Sequence, residues 1–437
     1  MSKTLHLVSL GCNKNLVDSE VMLGKLHEYE LTDSAQSADV IIVNTCGFIE
    51  AAKVESVDTI LTLHEKRKEN SLLVVSGCLS ERYREELQKE IPEVDIFTGV
   101  GDYEKIDALI SLKQSSFTPE VYLANENSPR VITGSKYHAY VKLSEGCNQQ
   151  CSFCAIPSFK GKLKSRTIDS VLNELRQLIE QGFRDFSFIS QDTSSYGRDL
   201  NTPNMLIDLI KQVELLPGIR SARILYLYPS TTTKELIDAI ADSPVFASYY
   251  DMPIQHISNN MLKAMKRGFN QAKTVTLLEH MRSKTNSFVR TAVIAGHPGE
   301  SEADFIELKD FLENFGFDRI TVFEYSNEES TTAYNMKQID PEIIRLRATE
   351  IGKIARVAMQ KSHQALIGKE IELIIDGVSD EHEYLLSARP TLWAPEIDGE
   401  ILVNDSGDFT VTHGDYFLAN VTELADLTPL ATLIKKL

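Results

Sequence analysis

Cys147, Cys151 and Cys154 form a C-x3-C-x2-C group within Glu145-Gly146-Cys147-Asn148-Gln149-Gln150-Cys151-Ser152-Phe153-Cys154, directly after a β-rich apolar run. Three thiolates so close along one loop can wrap one face of a cubane iron–sulfur cluster. The fourth iron then has no protein ligand, and an open coordination position marks a reactive centre rather than a structural one. Two blander readings stand beside this one: a structural zinc site with no evident fourth ligand, and unrelated thiols. The remaining cysteines lie in Ser9-Leu10-Gly11-Cys12, Asn44-Thr45-Cys46-Gly47 and Ser76-Gly77-Cys78. Each follows a short apolar run. Neighbouring parallel strands end on one edge of their sheet, where α/β proteins bind ligands, so three separated thiols would converge there. Gly11, Gly47 and Gly77 permit tight turns at that edge. The alternative is three buried cysteines acting as small hydrophobes.

The elements that must position these thiols are legible as alternating patterns. Residues 5–10, 40–43 and 72–75 are runs of the kind buried in a parallel sheet. A helix between them carries Val54, Val57, Ile60 and Leu61 on one face. Residues 1–115 therefore read as an α/β domain with a parallel sheet, and residues 114–133, polar and containing Pro119 and Pro129, as a linker. Six strand candidates follow, at 138–143, 185–190, 223–228, 249–254, 288–294 and 319–325. The clearest intervening helix carries Ile168, Val171, Leu172, Leu175, Leu178 and Ile179. Six strand–helix units predict a partial (β/α)6 barrel over 133–366, closed by a long helix at 341–366. Residues 367–437 hold short strands at 371–375, 384–388, 401–403, 409–412 and 417–421. Turns are expected at Asp376-Gly377, Asp398-Gly399 and Ser406-Gly407, which together make a small all-β barrel.

Composition bounds the function. The 437 residues are 42% apolar and 25% charged, which excludes a wholly disordered chain, and the net charge of −18 disfavours a generally basic nucleic-acid binder. No stretch approaches the ~18–20 apolar residues that span a bilayer. Residues 5–12 superficially look like a lipoprotein cleavage box, but the run is short and His6 interrupts it. A cytoplasmic location is expected, where cysteines stay reduced and serve as ligands or catalytic groups.

Nearly the whole chain resembles the radical-SAM methylthiotransferases. The blocks that carry the likeness are Ser9-Leu10-Gly11-Cys12-Asn13-Lys14-Asn15-Leu16-Val17-Asp18-Ser19-Glu20, Asn44-Thr45-Cys46-Gly47-Phe48-Ile49 and Cys154-Ala155-Ile156-Pro157-Ser158-Phe159-Lys160-Gly161-Lys162. Further blocks are Ser190-Gln191-Asp192-Thr193 with Tyr196-Gly197, and Pro253-Ile254-Gln255-His256. Asn13 stands where Pro is common in the family, and His297 lies in a loop that usually carries an aromatic. The resemblance implies an N-terminal three-cysteine domain, a radical-SAM core and a C-terminal barrel of the TRAM type. It implies two [4Fe-4S] clusters, with the one on Cys147, Cys151 and Cys154 binding S-adenosylmethionine and generating a 5′-deoxyadenosyl radical. The cluster on Cys12, Cys46 and Cys78 would present sulfur, and a second S-adenosylmethionine would supply the methyl group. An electron donor is required as a partner. The Cys-Gly-Phe-Ile and Pro-Ser-Phe-Lys-Gly-Lys stretches resemble those members that modify the β-carbon of an aspartate in ribosomal small-subunit protein 12, free or on the ribosome, rather than tRNA.

Other residues invite weaker expectations. Phe153 could shield the cluster or pack near adenine, or simply fill the core. Ser190, Gln191 and Asp192, at a strand end, could contact S-adenosylmethionine or cap the strand, and Arg223 could meet a carboxylate or make a structural ion pair. Lys160, Lys162, Lys164 and Arg166 read as a solvated basic loop, with an anionic ligand as the alternative, and His256 as a hydrogen-bonded strand-end histidine. The last domain decides between substrates on charge. Residues 369–437 hold Lys369, Arg389, Lys435 and Lys436 against fourteen Asp and Glu, a net −10. Such a barrel should repel phosphate and attract a basic ribosomal protein, so strong nucleic-acid binding there is not expected. A tRNA methylthiotransferase is the runner-up, and an iron–sulfur carrier, which has no need of a β/α barrel, is third.

Overall fold

The computed structural model describes residues 3–379 and 383–437. The first sheet contains β1 (Thr4–Ser9), β2 (Glu30–Leu31), β3 (Val40–Thr45), β4 (Leu72–Gly77) and β5 (Ile96–Phe97), in the order β2-β1-β3-β4-β5, all parallel. Every residue of β3 is buried, as a strand covered on both faces requires. Register puts Ser9 opposite Asn44 and Asn44 opposite Ser76, so the three strands end at one level.

The helix Glu50–Lys66 forms where expected, but with a different face inward. Ser56, Ile60 and Leu63 are buried, whereas Val54 is 50% and Leu61 38% exposed. A polar requirement selects the face: the Cys46 N–H donates to Ser56 Oγ at 3.1 Å, and that hydroxyl lies 3.1 Å from Cys46 O. The predicted linker is a strap. Ser116 pairs with both Phe97 and Gly99 through the backbone, and buried Arg130 donates to Glu20 (2.6 Å) and Glu174 (2.8 Å).

The middle of the chain holds β6 (His138–Lys142), a short ribbon of β7 (Ser144–Glu145) with β8 (Lys164–Ser165), and then β9 (Asp185–Ile189), β10 (Ser221–Ile224), β11 (Tyr249–Asp251), β12 (Phe288–Ala295) and β13 (Arg319–Glu324). Two parallel arcs, β10-β9-β6 and β11-β12-β13, meet through bonds such as Leu227 N–H to Asp251 O at 2.8 Å. The third and fourth strands stop sooner than expected. Tyr226 takes φ +63° just past β10, and Gln255 φ +67° past β11, conformations that end a strand. The stripe on the helix Ile168–Glu180 faces inward as the periodicity requires, and Thr167 caps it by accepting from the Ser170 N–H. The helix Pro341–Gln364 leads to the last domain.

There β14 (Glu370–Val378), β15 (Leu386–Pro390), β16 (Ile401–Asp405), β17 (Tyr416–Ala425) and β18 (Thr428–Lys436) close a five-stranded barrel in the order β14-β15-β16-β18-β17. Three expectations need correcting. Residues 409–412 are not a strand: the Phe409 ring folds edge-on against Phe417 (5.4 Å) beyond the Ser406-Gly407 turn. Instead β18 fills that place, burying Pro429, Ala431 and Leu433. Asp376-Gly377 marks an irregularity within β14 rather than a turn, since the register shifts between Ile375 and Gly377.

A buried ion cluster fastens the two barrels together. Asp185 on β9 accepts from Arg223 (2.7 Å) and from Arg389 of β15 (2.7 Å), and Arg223 also donates to Thr391 O at 2.7 Å. Burial pushes the Asp185 carboxyl up, but the two guanidiniums hold it well below the usual carboxylate range. Its contribution is therefore complete above the unfolded-state pKa and is lost as pH falls below it. Asp185→Ala should lower stability in urea by about 3–5 kcal/mol, because two guanidiniums stay buried without their counter-charge. A loss well under ~1 kcal/mol would contradict this role.

Candidate cluster and cofactor site

The C-x3-C-x2-C loop is held from several sides. Gly146 has φ +75°, and a Cβ there would meet Lys162 O at 2.2 Å. The Cys147 N–H donates to Gly161 O (3.1 Å), and Ser152 N–H to Met265 O (3.0 Å). The Ser152 hydroxyl lies 2.9 Å from His297 Nε2, and His297 is flanked edge-on by Phe153 and Tyr325. Burial lowers the His297 pKa to about 4, so the ring is neutral at physiological pH. The ring thus packs between two aromatics and also makes a hydrogen bond. Arg267 Nη1 donates to Cys151 Sγ at 3.1 Å, with its guanidinium over the Tyr228 ring. Burial raises the Cys147 and Cys154 thiols to about 12 each.

The other three cysteines come together at the sheet edge. Cys12 precedes the helix Asn13–Lys25, Cys46 follows β3, and Cys78 opens the helix Cys78–Arg82. Cys12 is exposed, whereas Cys46 and Cys78 are buried. Burial raises the Cys46 thiol to about 11 and Cys78 further. Glycine makes the convergence possible: Gly11 has φ +87°, and a Cβ there would lie 2.7 Å from Cys46 Sγ.

The donor chemistry fits iron–sulfur clusters, since both sets are soft thiols without a hard oxygen ligand. A single zinc ion needs sulfurs at about 2.3 Å from one centre. Among the described residues no three His, Cys, Asp or Glu are grouped to hold one ion. A cluster is a larger body that more widely set thiols can reach.

Cys147, Cys151 and Cys154 line one side of a cavity of about 320 Å³, the lower end of the range for small-molecule sites. Lys14 and Phe48 from the N-terminal domain line it too, with Gln191, Tyr226, Gln255, Arg267 and Arg290 from the barrel. Of the expected cofactor contacts, Phe153 and Gln191 line this cavity. Ser190 is buried behind it, donating to Ile189 O. Asp192 caps the turn at Thr193–Ser195 and accepts from Gln149 Nε2 (2.8 Å), which ties it to the cluster loop. Arg223 is not in the lining: its guanidinium is bound to Asp185 and Thr391 O in the barrel junction. The basic loop divides. Lys162 and Lys164 are exposed, but Arg166 is buried against Glu174, and Lys160 against Asp18 (3.3 Å) and Glu145 (3.6 Å). Buried carboxylate partners offset the cost of taking these two cations out of water. His256 is fully buried, accepting at Nδ1 from the Ile257 and Ser258 N–H groups with Nε2 3.3 Å from Glu300. Lys14, Arg267 and Arg290 also line the cavity and were not among the expected contacts. Lys14 had a usable signal, two residues beyond Cys12, and the arginines had none.

Comparison with known proteins fits this arrangement. Residues 4–99 match the uncharacterized protein family UPF0004, residues 141–312 the radical SAM superfamily, and residues 367–434 the TRAM domain. The ribosomal protein uS12 methylthiotransferase RimO of Sulfurovum sp. (strain NBC37-1) is 66% identical over 434 residues, 99% of each chain. The chain belongs to the RimO family of radical SAM methylthiotransferases. The RimO of Campylobacter jejuni (strain 81-176) is 55% identical over 436 residues, 100% of this chain and 99% of its own. Among solved structures, the radical S-adenosylmethionine methyltransferase TsrM of Kitasatospora setae shares the fold. Its TM-score is 0.56 at 14% identity, covering 74% of this chain and 73% of its own. A RimO-family enzyme uses S-adenosylmethionine and iron–sulfur chemistry, which the thiol-lined cavity can accommodate.

The contact at Gly11 generates a test. Gly11→Ala should push Cys12 and Cys46 apart and lower the iron bound after anaerobic reconstitution, while circular dichroism stays that of the wild type. Undiminished iron in that variant would contradict the convergence of these thiols.

Proposed function

We propose that this chain adds a methylthio group to the β-carbon of an aspartate in ribosomal protein uS12, in the cytoplasm. It would do so with two four-iron clusters, one on Cys12, Cys46 and Cys78 and one on Cys147, Cys151 and Cys154. The domains are taken as 1–115, 133–366 and 367–437. One observation carries the reading: Cys147, Cys151 and Cys154 border a cavity whose wall also takes Lys14 and Phe48, each two residues beyond a cysteine of the N-terminal set, Cys12 and Cys46. When bound, the clusters and S-adenosylmethionine supply the one-electron chemistry, the sulfur and the methyl group.

The chain's own residues supply position and exclusion of water. Arg267 offsets thiolate charge at Cys151, and the Gln149–Asp192 bond fixes the loop between Cys147 and Cys151. Phe153, Ile156, Leu227 and Phe323 make the cavity wall largely apolar, which shields a reactive centre from solvent. Gln191 on the cavity wall donates to buried Glu145 behind it. Replacing Cys147, Cys151 and Cys154 together by Ala should abolish S-adenosylmethionine cleavage. Replacing Cys12, Cys46 and Cys78 should abolish methylthiolated uS12, read by mass spectrometry, while leaving some uncoupled cleavage. Methylthiolated product from the second variant, or 5′-deoxyadenosine from the first, would overturn the assignment.

The acidic barrel is proposed as the docking surface for the basic substrate protein. Not every carboxylate in it can contribute: Asp398 is fully buried, accepting from the Ala394 N–H at 2.9 Å, and Glu381 lies outside the described residues. Asp405, Asp408 and Glu423 are exposed. Asp405→Lys with Asp408→Lys and Glu423→Lys should weaken uS12 binding more at low salt than at high salt, as charge steering requires. Unchanged affinity in the folded variant would reject the docking role, and tight binding of tRNA by the wild type would favour a tRNA substrate.

A further inference from the structure

Three cations and no carboxylate line the cavity, in a chain whose net charge is −18. Two of the cations are engaged. Arg267 donates to Cys151 Sγ (3.1 Å) and Pro253 O (2.6 Å), and Arg290 pairs with Asp251 (3.0 Å) and donates to Thr321 Oγ1 (3.1 Å). Lys14 differs. Its ammonium sits 3.5 Å from the centroid of the Tyr226 ring, and it belongs to no ion pair among the described residues. The groups that act on it are Tyr226, then Cys12, whose thiol is assigned to the N-terminal cluster, and then Glu145, already held by Lys142 (2.8 Å) and Lys160 (3.6 Å). Tyr226 is fixed under the ammonium: it holds φ +63°, and its N–H donates to Asp251 Oδ2 at 3.1 Å. Non-glycine residues in that conformation gather at ligand sites, and Gln255, also on the cavity wall, shares it. A cation kept in a largely apolar cavity with no carboxylate paired to it among the described residues is matched when a ligand brings one.

We infer that Lys14 holds the side-chain carboxylate of the residue being modified, and so makes the enzyme select an acidic residue over its amide. This rests on the function proposed above. Lys14 follows Cys12 by two residues and reaches the cavity that Cys147, Cys151 and Cys154 border. In an aspartate the β-carbon is bonded directly to the carboxyl carbon. Anchoring that carboxylate on Lys14 therefore leaves the reacting carbon one bond from a fixed point, with little torsional freedom. Tyr226 is the positioning residue for the ammonium. The methionyl carboxylate of S-adenosylmethionine offers the same chemistry from a second source, and the experiment separates the two.

The test uses the reconstituted full-length enzyme and uS12 carrying either the target Asp or Asn in its place. Equilibrium binding of each form is measured beside S-adenosylmethionine affinity and single-turnover product. The wild type should prefer the Asp form by about tenfold to a hundredfold, a difference typical of one buried charge contact. Lys14→Met should bring that ratio close to one, and Lys14→Arg should restore most of it. Equal weakening of both forms, with the loss appearing in S-adenosylmethionine affinity, would assign Lys14 to the cofactor and overturn the inference. Retention of the wild-type ratio in Lys14→Met would overturn it as well. Failure of the wild type to modify either form would remove the proposed function itself.

Discussion

Two thiol sets on different domains can serve one reaction only if the domains are locked in register, and a buried quartet of charges does this. Lys142 of β6 binds Asp18 of the N-terminal domain and Glu145 at 2.8 Å, and Lys160 lies within 3.6 Å of both carboxylates. All four are almost wholly buried. Burial pushes the Glu145 carboxyl up, but Lys142 and Lys160 overcome that and hold it at about 2. Two positive and two negative charges balance, so the quartet survives desolvation only while complete. Glu145 is two residues before Cys147, Lys160 lies on the helix Ile156–Lys160 after Cys154, and Asp18 is on the helix that begins beyond Cys12. Each partner is thus tied by a short stretch of chain to one thiol set or the other.

Around that junction the same logic repeats. Arg82 and Lys53 of the first domain both reach Glu328 beyond β13, at 2.7 and 3.1 Å, closing the far side of the interface. Asp185, Arg223 and Arg389 fasten the terminal barrel. Charge therefore works at the domain boundaries beside apolar packing such as that of Phe288 against Trp393. Ion clusters of this kind specify geometry more than they add net stability, because desolvation cancels much of the attraction. That suits an enzyme whose sites must keep their spacing.

Much of this was legible in the sequence, for identifiable reasons. Cysteines and glycines carry their requirements in residue type, so both thiol sets and the turns that hold them were readable from spacing. Buried parallel strands tend to be apolar runs, and all six barrel strands overlap the runs expected, though β10 covers only 221–224 and β11 only 249–251. The legible part ended where tertiary partners decide. The inward face of Glu50–Lys66 is set by Ser56 serving Cys46, which no apolar pattern reveals. Strand β18 begins Thr-Pro and ends Lys-Lys, which weakens its signal, while 409–412 has strand-like residues but no partner strand. Lys160 and Arg166 read as solvated because their acids, Asp18, Glu145 and Glu174, are distant in sequence or on another element. Arg223 could have been a ligand contact or a structural pair, and only the position of Asp185 and Arg389 separates these.

Central to the proposed function is that both thiol sets would hold clusters, one at the cavity and one on the cysteines whose chain neighbours Lys14 and Phe48 line it. Electron paramagnetic resonance of the reduced enzyme tests it most directly. The wild-type spectrum is compared with the sum of spectra from the two triple-alanine proteins, each keeping one cysteine set. Close clusters must couple magnetically, so the account predicts a wild-type spectrum broadened or split relative to that sum. A wild-type spectrum equal to the sum would mean two isolated centres, and would contradict the account.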